Sequence, residues 1–104
     1  MKINWKPLAI KSRRKIATYI QQRFGEKSKK NFLSEVHYTI LLLKNNPYLA
    51  PIDPLFESRA KTYRSILINA LSKMVYYIEG ETITVVAFWD CRSNPITQAQ
   101  QVKD

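Results

Sequence analysis

Residues 63–95, YRSILINALSKMVYYIEGETITVVAFWDCRSNP, constrain the fold more than any other stretch of the chain. Three runs rich in β-branched and aromatic residues are separated by two short breaks, Asn69 to Ser72 and Glu79 to Glu81. That is the pattern of a three-stranded antiparallel meander. In the last run Ile83, Val85, Ala87 and Trp89 alternate with Thr84, Val86 and Phe88, so both faces are largely apolar and a central strand is expected. Arg64 opens the first run and Arg92 closes the last. Forked, permanently charged donors fixed to a rigid sheet suit phosphate.

Upstream, the polar–apolar alternation of Lys2 to Trp5 reads as a short edge strand with Ile3 and Trp5 on one face. Pro7 is placed to start a helix, because its missing N–H is one that a first turn leaves unpaired anyway. From Pro7 to Phe24 the residues Ala9, Ile16, Ala17, Ile20 and Phe24 follow helical spacing, while Lys11, Arg14, Lys15, Thr18 and Gln22 fall on another side. Gly25 supplies a left-handed stop, and a second helix is expected from about Lys27 to Lys44. Phe32, Val36, Ile40 and Leu43 make its buried stripe, widened by Leu33, Leu41 and Leu42. The short connection implies an antiparallel hairpin.

Asn45 to Thr62 carries Pro47, Pro51 and Pro54 without a sustained period and reads as a loop, whose end from Glu57 through Arg59 to Lys61 leads into Arg64. The tail after Pro95 is expected to be a frayed helix or disordered. The expected architecture is α+β, in the order β-α-α-β-β-β, with the helix hairpin packed on a four-stranded, largely antiparallel sheet. Residues 1–95 form the single domain and 96–104 the tail.

Charge is unevenly distributed. Residues 1–64 hold fourteen Lys or Arg against four Asp or Glu, and residues 65–104 hold three against four, within a total of +9. Such a field favours a polyanion or an acidic protein. The lone Cys91 can form no internal disulfide, and the chain shows neither a secretory signal nor an apolar run of membrane-spanning length. A cytoplasmic protein with no membrane association is expected. No metal or organic cofactor is implied, since there is no ligand cluster and no phosphate-cradling glycine loop.

Five short pieces then stand in order: W-x-P-L-A at Trp5 to Ala9, L-x-x-N-P at Leu43 to Pro47, Y-R at Tyr63 and Arg64, V-Y-Y-I at Val75 to Ile78, and D-C-R-S-N-P from Asp90 to Pro95. In order and spacing they resemble the RelE/ParE superfamily of bacterial type II toxins, over about residues 2 to 95. The resemblance implies a growth-arresting toxin neutralised by a cognate antitoxin. RelE-like members cut messenger RNA, mostly on the ribosome, and ParE-like members poison DNA gyrase.

For a metal-independent endoribonuclease, the resemblance matches Arg64 to the strand arginine and Arg92 to the arginine near the end of the last strand, both stabilising the phosphorane. Arg59, Lys61 and Glu57 lie where such enzymes often place loop residues that orient phosphate or act as base. This function is the first expectation, with gyrase poisoning and an inactive antitoxin-binding module as alternatives. The chain departs from the nuclease pattern after Arg92, where characterised ribonucleases carry a tyrosine or a His-Tyr pair and this one has Ser93, Asn94, Pro95, Ile96 and Thr97. The only histidine, His37, falls on the second helix, and a helix-surface or packed position is expected for it, not a proton-carrying role. Structural alternatives are a cross-strand ion pair for Arg64 with Asp90 or Glu57, and for Arg92 a tie to Asp90 or to loop carbonyls at the strand end.

Overall fold

A computed structural model describes residues 1–103. Strand β1 (Lys2–Trp5) leads into helix α1 (Pro7–Phe24) and helix α2 (Glu26–Asn45); strands β2 (Arg64–Asn69), β3 (Ser72–Glu79) and β4 (Thr82–Asp90) follow, then a short helix α3 (Pro95–Gln100). The sheet order is β1-β4-β3-β2. The meander pairs antiparallel, and β1 lies parallel to β4 at one edge, Lys2 opposite Thr82 and Trp5 opposite Val85. The α+β architecture and the element order are those expected.

Pro7 does open α1, and Gly25 joins the helices with φ +95°, a conformation that an L side chain rarely adopts. Its ψ of 175° makes the junction extended, which differs from the left-handed helical stop expected. Asp53 caps a 3₁₀ turn at Pro54–Phe56 by accepting from the Leu55 N–H, so the proline-rich loop has an ordered centre. Asn94 caps α3 through Ile96 and Thr97, and the tail is folded: Ala99 and Val102 are buried. Phe24, expected on the packing face of α1, is 61% exposed, and Leu33, Leu41 and Leu42 are partly exposed flanks of α2.

Apolar residues fill both faces of the sheet. Under the helices, Ala9, Ala17, Phe32, Val36, Ile40 and Leu43 pack on Met74, Tyr76, Ile83, Val85 and Phe88. Under the 3₁₀ turn and α3, Phe56, Tyr63, Val75, Tyr77, Val86, Ala87, Trp89, Ala99 and Val102 form a second cluster. The alternation read from the sequence breaks in β4, where Val75 pairs with Ala87 but Tyr76 pairs with Val85. This bulge leaves Val86 unpaired and reverses the parity beyond it, so Phe88 joins Ile83 and Val85 while Ala87 and Trp89 turn to the opposite face. Trp5 is half-buried, its ring 5.8 Å from that of Phe88. Among the described residues no helix is long and apolar enough to cross a membrane.

Candidate functional site

Arg64 is the first residue of β2 and stands opposite Tyr76. It is half-buried, and its Nη1 donates to the Ala50 carbonyl at 2.7 Å while the guanidinium lies 5.1 Å from the centre of the Tyr48 ring. The chain after α2 is thereby held to the sheet, with a bridge between Ile52 and Arg64 beside it. Neither Asp90 nor Glu57 pairs with Arg64, contrary to the ion-pair alternative. The cause is local: the loop returns along β2 and presents a carbonyl to the cation. Tyr76 is fully buried, donates its hydroxyl to the Pro47 carbonyl at 2.7 Å, and has its pKa raised chiefly by burial. It is sealed from any substrate.

Arg92 lies two residues beyond β4 and is exposed. Its Nε and Nη2 both donate to the Asp90 carboxylate, Nη2 at 2.7 Å, and its backbone N–H adds a third bond to the same group at 2.8 Å. The guanidinium also sits 5.6 Å from the Tyr19 ring centre. Asp90 is held below the usual carboxylate range, first by the Arg92 side chain, and the pKa of Arg92 is pushed up by the same bonds. This is the strand-end ion pair foreseen as the structural alternative.

The two guanidiniums do not converge. Arg64 stands opposite Tyr76 and Asp90 opposite Ser72, on the two strands that flank β3. Four residues along β3 and two strand spacings across separate their Cα atoms by about 16 Å, and Arg92 continues outward from there. One head points into the loop after α2 and the other toward α1. A common phosphate site was expected, and the reason it fails is topological. β2 and β4 run in the same direction, so the start of one and the end of the other occupy opposite ends of the sheet.

The loop residues are also committed elsewhere. Arg59 donates to the Ala99 and Val102 carbonyls, the latter contact very short, and so caps the C-terminal end of α3. Lys61 lies 4.4 Å from the Tyr77 ring centre and 3.5 Å from the Glu79 carboxylate; its pKa is raised, first by the Tyr77 hydroxyl. Glu57 is exposed at the end of the 3₁₀ turn, and His37 is exposed on α2. None of these joins Arg64 and Arg92 in one site.

A cluster not read from the sequence lies on the face away from α1 and α2. Asp53, 5% exposed, accepts from the Ser65 hydroxyl in a very short bond, from the Leu55 N–H at 3.0 Å, and from Lys73 at 3.1 Å. Burial alone would raise the Asp53 pKa; Ser65, Leu55 and Lys73 outweigh it and hold the carboxyl below its ordinary value. Lys73 also lies 5.3 Å from the Trp89 ring centre. The Asp-Pro pair was the available signal, because it marks a capped turn start; its partners come from two different strands.

The sequence profile of the ParE toxin of type II toxin–antitoxin systems, parDE, matches residues 3–95. The chain belongs to the ParE toxin family. Among curated proteins none matches it by sequence. Solved structures share the fold of this ParE-family toxin at low identity. A chain of the chromosomal ParDE system of P. aeruginosa is 12% identical with a TM-score of 0.69, over 86% of this chain and 95% of that one. The YoeB/ParE toxin of Agrobacterium tumefaciens is 20% identical with a TM-score of 0.59, over 86% and 98%. A chain of the heterotetrameric YoeB-YefM toxin–antitoxin complex of Staphylococcus aureus is 20% identical with a TM-score of 0.55, over 84% and 92%.

Proposed function

We propose that this toxin arrests growth by binding a target, DNA gyrase, and not by cutting messenger RNA. The observation that carries the reading is the separation of Arg64 from Arg92 by the length of the sheet, with Arg92 closed onto Asp90 and Arg64 onto the Ala50 carbonyl. Attack of a 2′-hydroxyl on its neighbouring phosphate requires cations and proton carriers within a few ångströms of one phosphorus atom. Here Tyr76, nearest to Arg64 in register, is buried, and His37 sits exposed on a different element from either arginine. Poisoning by binding needs no such convergence. The gyrase target follows from the family's ParE members, and neutralisation by a cognate antitoxin belongs to the same reading.

The deciding experiment sets two assays side by side. Purified toxin, incubated with gyrase, ATP and supercoiled plasmid, is expected to accumulate gyrase-linked broken DNA, while primer extension on RNA from induced cells shows no new cuts. Site-specific messenger cuts with gyrase unaffected would overturn the proposal.

A further inference from the structure

Residues 1–25 hold seven Lys or Arg, and the first carboxylate of the chain is that of Glu26. Two of the seven are turned onto aromatic rings: Arg13 lies 4.9 Å from the Trp5 ring centre and Arg23 lies 5.9 Å from that of Tyr19. Lys11, Arg14 and Lys15 are exposed, and among the described residues they make no ion pair. At 3.6 residues per turn, Lys11, Arg14, Lys15, Thr18 and Gln22 fall within about 100° of the circumference of α1, opposite the side that buries Ala9 and Ala17. They line one shallow groove, which follows the helix for about 16 Å. Tyr19 stands at its margin and already holds the Arg23 and Arg92 guanidiniums against its ring.

We propose that this side of α1 binds duplex DNA through its sugar–phosphate backbone, lying along the mouth of the major groove. The make-up of the surface selects the partner. Apart from Tyr19 the groove is lined by charged and hydroxyl or amide side chains, so it lacks the apolar centre on which a protein interface depends. Surfaces that meet nucleic acid are polar and strongly positive, as this one is. A single strand would look for aromatic rings on which to stack its bases, and the ring of Tyr19 is taken.

The shape selects between duplexes. The major groove of B-form DNA, about 12 Å wide, admits an α-helix, whereas that of an RNA duplex is too narrow for side chains to read. Arg14 and Lys15, about 100° apart as neighbours on a helix, stand on opposite flanks of the stripe and reach toward the phosphates of the two strands. Lys11 adds a third contact from between them. Contacts of this kind position a protein on DNA without reading sequence. The proposal holds whether or not gyrase is the target, because the ligand is DNA alone.

The test follows the anisotropy of a fluorescein-labelled duplex of about 20 base pairs titrated with the full-length protein at salt from about 25 to 150 mM. The expected result is saturable binding that is indifferent to shuffling of the base sequence, with a slope of log affinity against log salt of about −3 or steeper. Lys11→Gln, Arg14→Gln and Lys15→Gln together weaken binding about a hundredfold at about 0.1 M salt and make the slope shallower by about 2.7. The melting temperature stays unchanged, since all three side chains are exposed and glutamine suits a helix as well as lysine or arginine does. The charge-matched control, Lys27→Gln, Lys30→Gln and Lys44→Gln on the exposed side of α2, weakens binding less than about threefold. Equal losses in the two triple variants, tighter binding of single-stranded DNA or of an RNA duplex, or displacement of the duplex by a glutamate peptide of equal charge would each overturn the proposal.

Discussion

Replacing Arg64 by Ala separates a structural peg from a catalytic cation. The substitution removes a charge-assisted hydrogen bond of 2.7 Å and leaves the carbonyl of Ala50, a residue only 2% exposed, without its donor. The stranded carbonyl and lost bond cost about 1.5–3 kcal/mol, and the stacking on exposed Tyr48 adds about 0.5 kcal/mol. A total of about 2–3.5 kcal/mol in a domain of this length lowers the melting temperature by about 8–28 °C. Circular dichroism melts measure that shift, and growth arrest on induction at 20 °C and 37 °C measures function. The structure predicts a destabilised protein that keeps its toxicity at the lower temperature, with Arg64→Lys intermediate in stability. A variant with an unchanged melting temperature and no toxicity at either temperature would refute the reasoning and return Arg64 to a phosphate site.

Arg92→Ala should leave both the melting temperature and growth arrest near those of the parent, because the Asp90 pair is exposed and solvent replaces it; loss of toxicity in a folded variant would contradict this. Asp53 contributes stability that is fully present above its unfolded pKa near 4 and is lost as pH falls through its lower folded value. Parent melts taken between pH 5 and pH 2 should therefore fall more steeply than those of Asp53→Asn, and parallel curves would count against the cluster. Ending the chain after Asn94 removes Ala99 and Val102 from the second core and the carbonyls that Arg59 caps. That deletion should cost about 3 kcal/mol by denaturant melts and increase binding of a hydrophobic dye.

Much of the fold was legible because its signals are local. Turn residues at Asn69 to Ser72 and around Gly80 punctuate the meander, Pro7 and Gly25 bound the first helix, and the spacing of Phe32, Val36, Ile40 and Leu43 places the second. The candidate site was legible only as residue types. That Arg92 would close on Asp90 could be read from two neighbours in one turn, whereas the partner of Arg64 could not, since Ala50 offers a backbone carbonyl that any residue there would carry. The Asp53 cluster was invisible for a related reason: Ser65 and Lys73 meet it from separate strands.

By itself the sequence determined the elements, their order, the basic first two-thirds of the chain and the family resemblance, because these depend on side-chain period and on short motifs. The tertiary structure decided which groups share a surface. A single extra residue at Val86 turned Trp89 and Phe88 to faces opposite those the alternation implied, and the common direction of β2 and β4 set the two arginines at opposite ends of the sheet. Register and strand direction are settled between segments, through pairings that no one segment encodes.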